Sequence, residues 1–198
     1  MPDTQTTLAA LIGSRICHDL ISPIGAINNG IELIGMSETP GDAEIELISE
    51  SVNNASARIR FFRIAFGAAG DQEIGRAEVT AVLRDVYESS RLTVAWGPMD
   101  PQPRKLVRLC FLGLMCLESG MPYGGRIEIT RIGAEMELKG HADKLNVDPD
   151  LWAYLARREV PDGLKPSHVQ FGLLPAIAAE AGRRILLTTD AAHITMRF

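Results

Sequence analysis

The chain has 198 residues, of which 46% are hydrophobic and 23% charged, with a formal net charge of -5. This length holds one ordinary domain or two small ones, and the composition carries no disorder signature. The acidic balance and the lack of basic clusters argue against nucleic acid as the main partner. No basic stretch followed by an apolar run opens the chain. Arg108 interrupts the most apolar segment, Leu106 to Leu117, which is too short to span a bilayer. A cytoplasmic protein with no membrane partner is expected. The cysteines Cys17, Cys110 and Cys116 are odd in number and form no CxxC pair, which disfavours a disulfide framework or a zinc site. Cys110 and Cys116 read as core residues.

From Leu8 to Ile34 apolar residues recur at helical spacing, first Leu8, Ile12, Ile16 and Leu20, then Ile24, Ile27, Ile31 and Ile34. This predicts one long helix, capped by Asp3 or Thr4 and ended by Gly35 and the MSETPGD segment. Thr39-Pro40-Gly41-Asp42 reads as a second helix start. The pattern that follows, Ile45, Ile48, Val52, Ala55, Ile59, Phe62 and Phe66, alternates steps of three and four like a coiled-coil seam. A short connection makes the two helices antiparallel. Two such helices alone leave their stripes exposed, so the expected solution is a homodimer closing a four-helix bundle. The alternative is that the stripes pack against the rest of the same chain.

Gly67 to Gly75 reads as a linker, dividing a helical hairpin at residues 1–69 from a second domain at 75–198. That domain is predicted to contain a helix at Ala77 to Ser89, a strand at Leu92 to Trp96, a proline-rich loop, and a helix at Lys105 to Glu118. A hairpin at Arg126 to Lys139, helices near Pro149 to Glu159 and Val169 to Ala181, and strands at Arg184 to Thr189 and Ile194 to Phe198 follow. The fold class is α+β, with several strands faced by helices in the second domain.

With successive residues about 100° apart, Leu20, Ile24, Ile27, Ile31 and Ile34 share one arc and His18 lies nearly opposite. His18 is therefore expected to face solvent, with Ser14, Arg15, Ser22, Gly25 and Asn29 around it. Such small and polar neighbours would let another protein approach the ring. An exposed helical histidine alone is most often only a solvated side chain. Pro23 adds weight to the functional reading, because proline inside a helix costs about 3 kcal/mol and calls for compensation, although purely structural helices also contain prolines. A neutral imidazole is nucleophilic near neutral pH, and a carboxylate bonded to one ring nitrogen leaves the other free to attack phosphorus. Asp19 could supply that carboxylate or be a solvated surface acid.

The run Arg15-Ile16-Cys17-His18-Asp19-Leu20-Ile21-Ser22-Pro23-Ile24 resembles the H-box of bacterial sensor histidine kinases, in which an acid, an apolar residue and a later proline follow the phosphoacceptor histidine. The resemblance implies that His18 is the phosphoacceptor and that Asp19 orients or deprotonates its ring. Ser22 holds the position that in some families aids dephosphorylation. Cys17 departs from the common serine. The stretch from Cys116 through Pro122, Gly124 and Gly125 to Ile129 resembles the kinase ATP-binding domain where a helix runs through proline and paired glycines into a strand. Its two metal-coordinating asparagines, however, fall on Leu112 and Cys116. No Asp-x-Gly-x-Gly loop appears around Leu138 to Asp143, and Phe171-Gly172-Leu173-Leu174 comes without a glycine-rich lid.

A phosphorylatable hairpin joined to a kinase-like domain without its nucleotide residues is similar to the ChpT-like histidine phosphotransferases of alphaproteobacteria. That resemblance implies a homodimer that passes phosphoryl groups from the receiver domain of a CckA-like hybrid kinase to CtrA-like response regulators. Receivers would dock on Ser14, Arg15, Ile21, Gly25 and Asn29. It implies no cofactor on this chain, with magnesium supplied by the receiver. The competing expectations are a pseudokinase docking scaffold and a response-regulator phosphatase. His141, His168 and His193 have no further ligand at metal spacing and read as structural or surface residues, while Trp96 and Trp152 read as core.

Overall fold

Apolar residues spaced by three and four produce two long helices, α1 (Thr4–Met36) and α2 (Asp42–Ala65), that run antiparallel. The computed structural model describes residues 4–36, 41–68, 70–156 and 163–198. The possible cap Asp3, the Thr39-Pro40 part of the second helix start and residues 157–159 of the expected helix after Pro149 lie outside them. Gly30 lets the two helices close tightly, since a Cβ there would fall 2.6 Å from Ile48 Cγ1. α1 continues through the buried Pro23, which has no N–H for the Asp19 carbonyl one turn earlier.

The second half is a five-stranded sheet whose strands lie in the order 92–96, 125–132, 135–141, 193–197 and 186–189. β2 (Leu92–Trp96) runs parallel to β4 (Gly125–Ile132), and the remaining neighbours, β5 (Glu135–His141), β7 (His193–Arg197) and β6 (Leu186–Thr189), pair antiparallel. Its inner face is Ile127, Ile129, Met136, Leu138, Ile194 and Met196, all fully buried, and in β4 these alternate with exposed Arg126, Glu128 and Thr130. Helices α3 (Arg76–Tyr87), α4 (Arg104–Gly120) and α6 (Val169–Glu180) cover that face. Gly124 and Gly125 turn the chain from α4 into β4 with φ of 100° and 143°, backbone that favours glycine. The expected α+β fold is present, with a helical hairpin followed by a domain in which helices face a five-stranded sheet.

One core crosses the expected boundary between hairpin and sheet. Phe61, Phe62, Ile64 and Ala65 at the end of α2 are buried in the same cluster as α4 and the strands. The Phe61 and Phe111 rings approach to 4.7 Å between centroids. The α2 stripe therefore divides: Phe62 and Phe66 pack inside the chain, while Ile45, Val52 and Ile59, with Ile24 and Ile31 of α1, keep 44 to 56% of their surface exposed. For the two phenylalanines the intrachain alternative holds.

The end of the Gly67 to Gly75 segment is drawn into a strand pair. Glu73–Ile74 (β1) pairs antiparallel with Gln102–Pro103 (β3), inside what reads as a proline-rich loop. Arg104 donates to the carbonyls of Arg63 at 2.9 Å and Ala68 at 3.2 Å, and Lys105 pairs with Asp71 at 2.9 Å. After β5 the helix expected near Pro149 to Glu159 is present over its described residues as α5 (Pro149–Ala153), capped by the Asp148 carboxylate, followed by a 3₁₀ turn at Tyr154–Ala156.

Candidate phosphoacceptor site

His18 sits midway along α1 with 80% of its side chain exposed, the orientation expected from the helical arc. Its neighbour is not a solvated acid, for the Asp19 side chain is only 10% exposed. Asp19 Oδ1 lies 3.0 Å from His18 Nδ1, and Oδ2 accepts from Arg15 Nε at 2.7 Å, with an Arg58 terminal nitrogen at 3.9 Å. With the carboxylate ionised, Nδ1 carries the ring proton and donates it to Asp19. The lone pair of Nε2 then points outward.

The two guanidinium groups are fixed in turn. Arg15 donates to the Ser167 carbonyl at 2.7 Å, and Arg58 Nε donates to Asn54 Oδ1 at 2.9 Å. Arg15 thus makes its contacts within the chain. Ile21, Ser14, Ser22 and Asn29 are exposed, and open space surrounds the Gly25 Cα, so a broad face around His18 stays free of bulky groups. Beside the histidine a groove of about 480 Å³ opens between α1 and α2, lined by Ser22, Pro23, Glu50, Asn54 and Ser89.

Behind Asp19 a second cavity, of about 210 Å³, joins Arg15, Asp19 and Arg58 of the hairpin to Tyr87 of α3 and Glu118 of α4. Sequence reasoning missed Arg58, Asn54, Tyr87 and Glu118. The four-residue spacing of Asn54 and Arg58 on one face of α2 is the only trace of them in the pattern.

Leu112 and Cys116, at the positions of the kinase asparagines, are completely buried in α4, and burial pushes the Cys116 thiol well above its ordinary range. Among the described residues no three His, Cys, Asp or Glu side chains are grouped to hold a metal ion. His141 and His193 lie across from each other on β5 and β7 with rings 4.8 Å apart, and His193 Nδ1 is 3.1 Å from Asp190. Trp96 and Trp152 are core residues. No helix among the described residues is long and apolar enough to cross a membrane.

Comparison with known proteins identifies the family. Residues 76–193 match the family model described as the histidine phosphotransferase C-terminal domain. Protein phosphotransferase ChpT of Brucella abortus (strain 2308) is 33% identical over 196 residues, covering 94% of this chain and 92% of the relative. A solved bacterial phosphotransferase structure superposes with a TM-score of 0.81 at 30% identity, covering 100% of this chain and 98% of the other. At this identity and coverage, the chain belongs to the histidine phosphotransferase family, alongside protein phosphotransferase ChpT.

Proposed function

We propose that this phosphotransferase relays phosphoryl groups between receiver-domain aspartates through phospho-His18, without autophosphorylating from ATP. The observation that carries the reading is the exposed His18 ring held at Nδ1 by a largely buried carboxylate. In the forward step the Nε2 lone pair attacks the phosphorus of a receiver's aspartyl phosphate. The N–P bond forms, the P–O bond to the receiver breaks, and the receiver carboxylate leaves. The ring becomes cationic, with its proton still on Nδ1, and Asp19 stabilises that charge. A second receiver carboxylate reverses the step and regenerates the neutral ring. Magnesium is supplied by the receiver's acidic pocket.

The docking face comprises Ser14, Ile21, Gly25 and Asn29 around His18, with Ser22 at the groove edge; Arg15 serves it from behind by holding Asp19. Ile21, 71% exposed one turn from the histidine, offers an apolar anchor for a receiver. The partners are receivers of the CckA and CtrA kind, met in the cytoplasm. The half-exposed isoleucines of the hairpin support a homodimer. In the test, one purified receiver carrying labelled phosphate is mixed with an unlabelled second receiver and this protein. Label passes to the second receiver with the wild type and stops with His18→Ala, while a His18→Ala variant that still relays overturns the proposal. Because the ring is exposed, the same substitution leaves the melting temperature nearly unchanged.

A further inference from the structure

The sheet domain reaches the turn of α1 that bears His18 through a backbone carbonyl. Residues Pro166–His168 form a 3₁₀ turn at the start of α6, and this turn and α6 both pack against α1. Pro166 fixes its own φ at the first position of the turn, and the His168 N–H donates to the Lys165 carbonyl at 2.9 Å. Behind the turn, α6 is pinned to the core. Val169 and Phe171 are completely buried, and Gln170 Nε2 donates to Ser119 Oγ at 3.0 Å and to the Met115 carbonyl at 3.3 Å, both on α4. The Ser167 carbonyl is thereby held beside α1, where it accepts from Arg15 Nη1 at 2.7 Å across 152 residues of chain.

From there the hydrogen bonds run in series to the phosphoacceptor. Arg15 Nε donates to Asp19 Oδ2 at 2.7 Å, and Asp19 Oδ1 lies 3.0 Å from His18 Nδ1. A guanidinium is planar, so acceptors on two of its nitrogens fix its position and its plane together. Once that plane holds one oxygen of Asp19, the direction of the other toward His18 follows.

We propose that Ser167 is a positioning residue for phosphoryl transfer: its backbone carbonyl orients Arg15, and through Arg15 and Asp19 it keeps the His18 ring proton on Nδ1 and the lone pair on Nε2. This rests on the relay reading above and gives the sheet domain, which lacks the nucleotide residues, a part in the chemistry. When the carbonyl shifts, the guanidinium pivots about its bond to Asp19 and the carboxylate turns with it. The ring then takes its proton on Nε2 as well, and in that tautomer no lone pair faces the receiver.

The test pairs single-turnover transfer from a saturating phosphorylated receiver to the full-length protein with NMR of the His18 ring nitrogens in the unphosphorylated protein, at a pH where the ring is neutral. Ser167→Gly and the combined Pro166→Gly/Ser167→Gly loosen the backbone around the carbonyl and alter no side chain that lines the His18 groove. Arg15→Lys keeps the positive charge beside Asp19 but lacks the planar fork that sets the carboxylate. The wild type shows the Nδ1–H tautomer. Arg15→Lys lowers the plateau rate about tenfold and moves the ring toward Nε2–H, as expected when a reacting atom is left unoriented. The combined glycine variant moves both readings in the same direction by less. Added to Arg15→Lys, the glycine substitutions cause no further loss of rate, because the path through which they act is already broken. Melting temperatures check folding, and Ser167→Gly alone keeps the test readable if the combined variant unfolds. A folded glycine variant with the wild-type tautomer and rate overturns the inference. So does a rate loss with an unmoved tautomer that multiplies with that of Arg15→Lys, which is what a packing role gives. A wild type that holds the Nδ1–H tautomer yet accepts no phosphate from any receiver overturns the relay reading instead.

Discussion

Asp19 divides its two carboxylate oxygens between tasks, one facing His18 and the other facing Arg15 and Arg58. Asp19→Asn keeps the shape but removes the anion that stabilises the cationic ring, so single-turnover transfer slows by about 10²-fold without vanishing. It also leaves two guanidinium groups facing a neutral amide, at a stability cost of about 1 to 3 kcal/mol that chemical denaturation can read. Wild-type rates in this variant would remove Asp19 from the mechanism. His18, Asp19 and Pro23 were legible in the sequence because they share one helical turn and its neighbour, where spacing alone fixes relative placement. Arg58, Tyr87 and Glu118 were not. Each arrives on a separate helix and reads locally as an ordinary surface or core residue.

Among the elements, the long helices and the strands with buried alternation were legible, and their bounds agree to within a few residues. β1 and β3 were hidden because two residues carry no period, and the pairing that makes them strands is a tertiary event. The split fate of the α2 stripe was hidden too. A seam facing another helix and a seam facing a sheet domain have the same spacing, so only the fold separates Ile59, left outside, from Phe62, taken inside. Leu112 and Cys116 offer no ligand to a magnesium–nucleotide complex and are sealed in the core, so titration calorimetry with Mg-ATP is expected to be flat. Binding at micromolar affinity would point to an ATP-dependent kinase instead.

For the whole molecule, the apolar residues left on the hairpin support the proposed homodimer. Each isoleucine fully withdrawn from water contributes about 1.5 to 3 kcal/mol, and Ile24, Ile31, Ile45 and Ile59 stand on the hairpin half exposed together. A second copy covering them would close the four-helix bundle, so Val52→Glu and Ile59→Glu are expected to halve the mass seen by light scattering. A wild-type monomer at micromolar concentration would remove the dimer from the account. The shared core through Phe61 and Phe111, with Arg104 clamped on the α2 carboxyl end, keeps the sheet domain seated behind the histidine. The proposed relay depends on His18 itself carrying the phosphoryl group in transit. Quenching the relay mid-reaction in alkali and locating the phosphate by mass spectrometry reads this step. Acid-labile phosphate on His18 is expected; phosphate on another residue, or relay with none on the protein, would mean that His18 is not the carrier.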